Sequence, residues 1–286
     1  MVKGFEESNK MEGLILRTVK VGPHPRISVD YYGKGETVFL LHGIGGNKRN
    51  WDDNVVEIAK THKVIAWDAR GYGASDDYEG PFKFSDAAED LLKVLDFFKC
   101  KKTHLIGLSM GARIACWFYN KYPNRVSSMV LCDTNFGSKD FSEEEKFEFI
   151  NSRAKPLKDG KKFEEFSHLV ARSLIGNQLD QAVLKKVIKS LNLLRKDSYL
   201  KTIESFVYYD DLDIFQEINV PSLVLVGDLD RLTPKEIAKK IANKILGANL
   251  KIIEGAGHLI NIENPKIFNH YILKFLKDLT TKKYYP

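Results

Sequence analysis

The sequence predicts an α/β fold with a mostly parallel, doubly wound sheet and an inserted helical cap. Continuous apolar runs are typical of strands buried on both faces of a parallel sheet, and six occur, at 38–41, 64–67, 105–108, 129–131, 223–226 and 250–253. Helical periodicities separate most of them. The long interval 135–209 has helical patterns and no convincing strand. We therefore predict an α/β core, residues 1–134 and 210–286, and a cap, residues 135–209.

The first elements precede the parallel runs. Residues 14–19 and 27–32 are rich in β-branched and aromatic side chains, and Gly22-Pro23-His24-Pro25 lies between them. This arrangement predicts an antiparallel pair, because the Gly and Pro residues cannot continue a strand.

Helices are predicted between the later strands. Apolar residues spaced by three and four indicate helices near 88–98 and 115–122. The pattern Thr233-Pro234-Lys235-Glu236 indicates a capping box with proline at the first helical position, and Asn264-Pro265 indicates the start of the last helix. In the cap, Ser142-Glu143-Glu144-Glu145 is another capping box, and the Phe and Leu content that follows predicts an apolar ceiling over a pocket.

The composition is that of an ordinary globular protein. The net charge of +6 comes from 44 Lys and Arg against 38 Asp and Glu, interspersed along the chain, which argues against a nucleic-acid partner. The three cysteines, Cys100, Cys116 and Cys132, have no metal-ligand spacing, so neither a metal site nor a disulfide framework is predicted. The sequence lacks a secretory signal and any apolar segment near the roughly 20 residues that span a bilayer, so we expect no membrane partner and a cytoplasmic location.

A serine at the end of the third apolar run is the centre of the predicted site. In Gly107-Leu108-Ser109-Met110-Gly111, a strand meets a helix. Such a turn, called a nucleophile elbow, holds the serine hydroxyl exposed between small residues. A serine hydroxyl needs a base to take its proton, and the base needs a carboxylate to fix its tautomer. Asp230 and His258, which follow the last two runs, supply these parts in the order Ser, Asp, His. We predict Ser109 as nucleophile, His258 as base and Asp230 as acid.

Two backbone N–H groups are predicted to stabilise the oxyanion. One is that of Met110, next to the nucleophile, and the other is that of Ile44 in the glycine-rich loop after the first run. His42 in that loop is interpreted as structural. The candidate pocket residues are Trp51, Phe136 and Leu259, with packing of the first helix as the alternative for Trp51.

Two arginines have two interpretations each. Arg113 lies one helical turn beyond Ser109, where it could meet an anionic substrate or form a salt bridge, and the salt bridge is favoured. Arg70 is interpreted as an ion-pair partner rather than a substrate ligand.

The chain resembles α/β-hydrolase-fold serine hydrolases over nearly its whole length. Five motifs carry the resemblance: His42-Gly43-x-Gly45-Gly46, Asp68-x-Arg70-Gly71-x-Gly73-x-Ser75, Gly107-x-Ser109-Met110-Gly111, Gly227-x-x-Asp230 followed by Pro234, and Gly257-His258-Leu259-x-Asn261-x-Glu263-x-Pro265. Within the fold they are most similar to 3-oxoadipate enol-lactonase-like esterases and cofactor-free haloperoxidases, and the elbow with Arg113 also resembles a menaquinone-pathway synthase.

The resemblance also selects among candidate residues. The family spacing favours Asp230 over Asp228, which could cap a turn, and over Asp133, interpreted as a turn residue or a partner of the cap hinge. Leu259 stands where meta-cleavage C–C hydrolases usually carry Trp, which weighs against that class. Ser109 argues against epoxide hydrolases and haloalkane dehalogenases, which use Asp at the elbow.

We predict a serine hydrolase that cleaves a small carboxylic ester or lactone through an acyl-enzyme on Ser109, without cofactor or metal. The expected partner is a small molecule with an apolar acyl or lactone part. C–C bond hydrolysis, perhydrolysis and synthase-type elimination use the same triad, and ligand sensors on this fold retain it, so these remain alternatives. The sequence leaves open whether the chain forms a homodimer.

Overall fold

A nine-stranded sheet forms the centre of the computed structural model, which describes residues 7–11, 14–137, 141–177, 180–208 and 212–281. Its spatial order is β1-β2-β3-β5-β4-β6-β7-β8-β9. The strands are β1 (Glu7–Met11), β2 (Leu14–Val21), β3 (Ile27–Tyr32), β4 (Thr37–Leu41), β5 (Lys63–Trp67), β6 (Thr103–Leu108), β7 (Val126–Cys132), β8 (Ser222–Gly227) and β9 (Asn249–Ile253).

The sheet is antiparallel at one edge and parallel elsewhere. β1, β2, β3 and β5 pair antiparallel in that order, and the pairs from β5 through β4, β6, β7 and β8 to β9 are all parallel. The predicted opening pair and the six predicted parallel strands are therefore confirmed. β1 was not predicted, because its sequence ESNKM lacks the β-branched and aromatic residues typical of strands.

Helices cover both faces of the sheet. They are α1 (Asp52–Ile58), α2 (Phe84–Phe97), α3 (Met110–Lys121), α4 (Glu143–Lys158), α5 (Phe163–Leu174), α6 (Gln181–Leu191), α7 (Lys196–Tyr208), α8 (Lys235–Lys244), α9 (Ile260–Glu263) and α10 (Pro265–Thr281). Phe39 and Leu41 of β4 pack in the layer of α2, α3 and α8, whereas Val38 and Leu40 pack in the layer of α1 and α10. The alternation follows from the two-residue period of a strand. None of the helices in the described chain is long and apolar enough to span a membrane.

Four helices, α4 to α7, lie between β7 and β8, with no strand among the described residues of that interval. We call these four helices the insert. Ser142 begins it as predicted: its hydroxyl accepts a hydrogen bond from Glu145 N (3.1 Å), and a Glu145 carboxylate oxygen accepts one from Ser142 N (2.7 Å). The division into a core and a separate cap stays a prediction, and its boundary at Tyr209 lies outside the described residues.

The start of α8 differs from the sequence prediction. Pro234 precedes the helix as its N-cap residue, and Thr233 does not cap it. The Thr233 hydroxyl instead donates to Asp230 Oδ2 at 2.5 Å. The predicted capping box is therefore wrong, because α8 begins one residue later than predicted and its N-cap residue, Pro234, has no side-chain cap hydrogen bond.

Candidate active site

Ser109 lies in the sharp turn between β6 and α3. Its φ of 53° and ψ of −115° are a strained conformation for a non-glycine residue, and its N–H donates to Cys132 O at 2.8 Å. A Cβ atom on Gly111 would lie 2.0 Å from Leu41 O, and one on Gly107 would lie 2.4 Å from the Gly111 carbonyl carbon. The two glycines are therefore required by the closeness of the neighbouring backbone.

The loops after β8 and β9 bring Asp230 and His258 together. His258 Nδ1 donates to Asp230 Oδ2 at 2.8 Å, and both side chains are buried. Asp230 Oδ1 also accepts from the N–H groups of Leu232 (2.8 Å) and Thr233 (3.0 Å). Burial alone would raise the pKa of Asp230, but the charge and hydrogen bond of His258 and the bonds from Thr233 outweigh it and hold the pKa below its ordinary value. Asp230 is therefore a carboxylate at neutral pH.

Asp228, the rival for the acid, has a different partner. Its Oδ1 accepts from Gly255 N at 2.7 Å and so links the loop after β8 to the loop after β9. The structure therefore brings Asp230, and not Asp228, into contact with His258 Nδ1.

The glycine-rich loop after β4 lies against Ser109. A Cβ atom on Gly43 would be 3.2 Å from Ser109 Cβ. His42 holds the loop, because its Nδ1 donates to Gly43 O (2.9 Å) and its Nε2 accepts from Ala69 N (3.0 Å). Burial lowers the pKa of His42, which keeps the ring neutral, as this pair of bonds requires. The structural interpretation of His42 agrees with this geometry.

Of the two predicted oxyanion donors, Met110 follows Ser109 directly in the chain and Ile44 belongs to the glycine-rich loop after β4. Met110 is the first residue of α3, and the N–H groups of a first helical turn have no partner within the helix. Ile44 lines the same cavity as Ser109. Both positions suit the predicted roles, which stay predictions.

Ser190 of α6 hydrogen-bonds the insert to the glycine-rich loop after β4, residues 42–47, which we call the oxyanion loop. Its hydroxyl oxygen accepts from Asn47 Nδ2 (3.0 Å) and lies 3.1 Å from Gly45 O and 3.0 Å from Asn50 Oδ1. Ser190 therefore joins the insert to the loop that carries Ile44.

A second set of hydrogen bonds joins the insert to the loop after β9, residues 254–259, which we call the histidine loop. Glu263 Oε1 accepts from the N–H groups of Gly257 (2.9 Å) and Leu259 (3.2 Å), and its Oε2 accepts from Gly176 N (2.7 Å). His258 N donates to Leu174 O at 2.7 Å. Sequence reasoning did not assign a role to Glu263, although it belongs to the motif around His258.

Ser109 and His258 line one cavity under the insert. Its free volume is about 40 Å³, far below the roughly 300–1,000 Å³ of typical ligand sites, so a larger substrate requires side chains of the insert to move. The other lining residues are Ile44, Asp133, Thr134, Asn135, Leu232 and Thr233 from the core, and Phe141, Phe149, Arg153, Val170, Leu174, Leu191, Tyr199 and Phe206 from the segment that leads into the insert and from the insert itself.

Asp133 is a further buried carboxyl group at this cavity. It follows β7 with a φ of 44°, and its Oδ1 accepts from Gly227 N at 3.0 Å. Its Oδ2 has no hydrogen-bond partner. Burial and the nearby charge of Asp230 hold the pKa of Asp133 well above its ordinary value.

Trp51 and Leu259 line a second cavity, of about 20 Å³, beside the oxyanion loop. Ile44, Leu174 and Leu191 line both cavities and so form the wall between them. Trp51 also packs against the Phe268 ring, with centroids 6.0 Å apart. Trp51 therefore lines a cavity and also packs against a helix, so each of its two interpretations describes part of its surroundings.

Phe136 lies elsewhere. Its ring packs edge-on against Phe215 at 5.3 Å, and Lys244 Nζ lies 4.8 Å from its centroid. Among the residues that the structure describes, it is not part of the Ser109 cavity lining. Asp133, Thr134 and Asn135 line that cavity, whereas the next residue, Phe136, packs its ring against Phe215 of the core.

The two arginines of interest are structural. Arg113 is fully buried and donates to the carbonyl groups of Asn135 (3.3 Å) and Leu212, which flank the insert. Arg70 donates to Asp90 at 2.6 Å, as expected of an ion-pair partner. In the described ranges, His, Cys, Asp and Glu side chains nowhere form a group of three or more that could hold a metal ion.

Comparison with known proteins agrees with this architecture. Residues 36–265 match a family model described as the alpha/beta hydrolase fold. A putative non-heme chloroperoxidase of Synechocystis sp. is 27% identical, covering 91% of this chain and 99% of that protein. The 3-oxoadipate enol-lactonase 2 of Acinetobacter baylyi is 22% identical over 86% of this chain and 91% of its own. The structure of a thermophilic esterase from Thermogutta terrifontis superposes with a TM-score of 0.81 and 25% identity, covering 92% of this chain and 98% of the esterase.

Proposed function

The chain belongs to the α/β-hydrolase-fold family, and on that basis we propose that this hydrolase cleaves a small carboxylic ester or lactone through an acyl-enzyme on Ser109. The observation that carries the proposal is the 2.8 Å contact between His258 Nδ1 and Asp230 Oδ2, beside a cavity that both His258 and the elbow serine line. The similarity to an enol-lactonase and to an esterase supports this class of bond.

The proposed reaction has two halves. Ser109 Oγ attacks the carbonyl carbon while His258 Nε2 takes the hydroxyl proton, and the imidazolium then gives this proton to the leaving alkoxide oxygen. The product of this half is an ester of Ser109 and a free alcohol. Water then attacks that ester, His258 takes its proton, and the acid leaves as Ser109 regains a proton.

Each supporting group has a definite task in this scheme. Asp230 is held as a carboxylate, so it keeps the Nδ1–H tautomer and stabilises the imidazolium. The N–H groups of Ile44 and Met110 donate to the oxyanion that forms at the carbonyl oxygen. His42 and Ser190 fix the loop that carries Ile44, so this donor needs no rearrangement during the reaction.

A fluorophosphonate probe and an activated ester test the proposal together. The probe labels the native protein, and p-nitrophenyl acetate is turned over for many equivalents. Ser109→Ala abolishes labelling and lowers kcat by at least about 10⁴-fold, because no other group replaces the nucleophile. Thr280→Ala, which removes an exposed hydroxyl near the end of α10, is the matched control and leaves both unchanged. Equal labelling of Ser109→Ala refutes the mechanism, and turnover that stalls after one equivalent supports a ligand sensor instead.

A further inference from the structure

Arg153 of α4 lines the cavity that holds Ser109. Its Nη1 donates to Ser152 Oγ at 3.1 Å, and its Cζ lies 4.1 Å from the centroid of the Phe149 ring. Among the described residues, no Asp or Glu carboxylate lies within ion-pair distance of it. Burial lowers the pKa of Arg153, yet a guanidinium stays charged at any physiological pH.

Two other poorly exposed cations of this chain, Lys48 and Arg70, have acidic partners. Lys48 Nζ lies 2.9 Å from Asp30 Oδ1, and Arg70 Nε lies 2.6 Å from Asp90 Oδ2. A charge removed from water is costly unless it is paired, so the fold supplies carboxylates at these places. Arg153 differs from them because it lines a cavity and has no carboxylate partner among the described residues.

Two other polar groups of the same cavity lining suit an anion as well. Tyr199 is one of them, and burial raises the pKa of its hydroxyl to about 12, although the charge of Arg153 acts in the opposite direction. Tyr199 therefore keeps its proton and offers a donor. Thr134 Oγ1 is buried without a hydrogen-bond partner, and Thr134 lines the same cavity.

We propose that Arg153 binds a free carboxylate of the substrate, so that the substrates are esters or lactones carrying a second, anionic carboxyl group away from the bond that is cleaved. The inference rests on the proposed function and narrows its substrate class. The planar guanidinium fork matches a carboxylate with two parallel hydrogen bonds, and the apolar rings around it strengthen such a pair. The expected apolar ceiling is present, but it carries one cation.

Matched pairs of p-nitrophenyl esters test the proposal. Mono-p-nitrophenyl glutarate and adipate carry the free carboxylate, and p-nitrophenyl valerate and hexanoate are their neutral counterparts of equal chain length. We expect a higher kcat/KM for the anionic member in the native protein. Arg153→Gln lowers kcat/KM for the anionic ester about 10- to 100-fold, the size typical of a charge-assisted pair, and leaves the neutral ester within about twofold. Retained activity on the neutral ester also shows that the variant is folded.

Lys155→Gln is the matched control. Lys155 lies on the same helix, is exposed and pairs only with Asp159 at the surface, so its loss changes the net charge equally without reaching the cavity. The proposal predicts an unchanged ratio of anionic to neutral ester in this variant. An equal fall in both variants, or a native protein that prefers the neutral esters, overturns the carboxylate site while leaving the serine mechanism intact.

Binding separates this inference from the proposed function. Calorimetric titration of Ser109→Ala with glutarate measures the carboxylate site without any chemistry. We expect saturable binding of glutarate, none of 1,5-pentanediol, and loss of glutarate binding when Arg153→Gln is added. Turnover of neither ester, with glutarate still bound through Arg153, refutes the hydrolase chemistry and supports the anion site. Absence of glutarate binding to Ser109→Ala refutes the anion site.

Discussion

The loops after β7 and β8 each place one buried carboxyl group beside the cavity, and the pKa values of the two groups are shifted in opposite directions. Asp133 is 1% exposed and Asp230 is 5% exposed, so burial penalises both carboxylates. Asp230 accepts hydrogen bonds from His258, from the Thr233 hydroxyl and from two backbone N–H groups, which hold its pKa low. Asp133 accepts one bond, from Gly227 N, and its pKa is raised. The hydrogen-bond partners, and not the burial, therefore decide the direction in which each pKa is shifted.

The raised pKa of Asp133 also favours the charge on Asp230. Two neighbouring carboxylates repel each other, so a site that needs one charge benefits when the second group keeps its proton. Glu263, which follows β9, is a half-buried carboxyl group with yet another task, since it accepts hydrogen bonds from three backbone N–H groups. Substitution of each group by its amide ranks these tasks.

The largest effect is expected for Asp230→Asn. The amide cannot stabilise the imidazolium and favours the wrong tautomer of His258, so kcat/KM for p-nitrophenyl acetate falls roughly 10⁴-fold at pH 7, as for the equivalent change in other Ser-His-Asp enzymes. Asp228→Asn is the control, because Asp228 closes the turn at Gly255 and does not contact His258. A loss below tenfold in Asp230→Asn would show that another group orients the histidine.

An intermediate effect is expected for Glu263→Gln. The amide keeps one acceptor oxygen and turns an NH₂ group toward a backbone donor, which leaves a buried N–H unpaired at about 1–3 kcal/mol of unfolding free energy. Because Glu263 joins the histidine loop to the insert, the shift of His258 lowers kcat/KM about 10- to 100-fold. Urea unfolding and ester hydrolysis measure the two effects. Glu236→Gln, at the exposed start of α8, is the control, and equal behaviour of the two variants contradicts the role of Glu263.

The core and its strand-end residues could be predicted from the sequence for a physical reason. A strand buried on both faces needs a continuous apolar run, and in a parallel sheet all carboxyl ends meet at one edge. Ser109 and Asp230 each follow such a run, and His258 follows the edge strand β9, whose exposed Lys251 interrupts the apolar pattern. The order of the parallel strands therefore places all three at one edge of the sheet. The turn conformation of Ser109 was likewise indicated by its small neighbours.

The placement of side chains over the cavity could not be predicted in this way. Periodicity indicates which face of α4 is apolar, but not which other element that face meets, so Arg153 gave no signal. Phe136 was expected in the pocket, whereas its ring packs against Phe215. Thr233 matches a capping pattern, but its hydroxyl donates to Asp230 in a tertiary contact. In each case a long-range contact decided between conformations that the local sequence allows.

The smallest effect on catalysis is expected for Asp133→Asn, which keeps the acceptor for Gly227 N and leaves His258 untouched, so kcat/KM at pH 7 stays within about threefold of the native value. Stability separates the two proteins instead. The folded-state pKa of Asp133 lies above the unfolded value of about 3.9, so the folded protein binds the extra proton and loses stability as pH rises from about 4, by up to about 1.4 kcal/mol per pH unit, until the raised pKa is reached. Asn does not titrate. The free energy of unfolding of the variant, measured with urea at pH 4.5, 6 and 7.5, should therefore rise relative to that of the native protein as the pH increases. A constant difference across these pH values would mean that Asp133 is charged, and a loss of activity like that of Asp230→Asn would make it the catalytic acid.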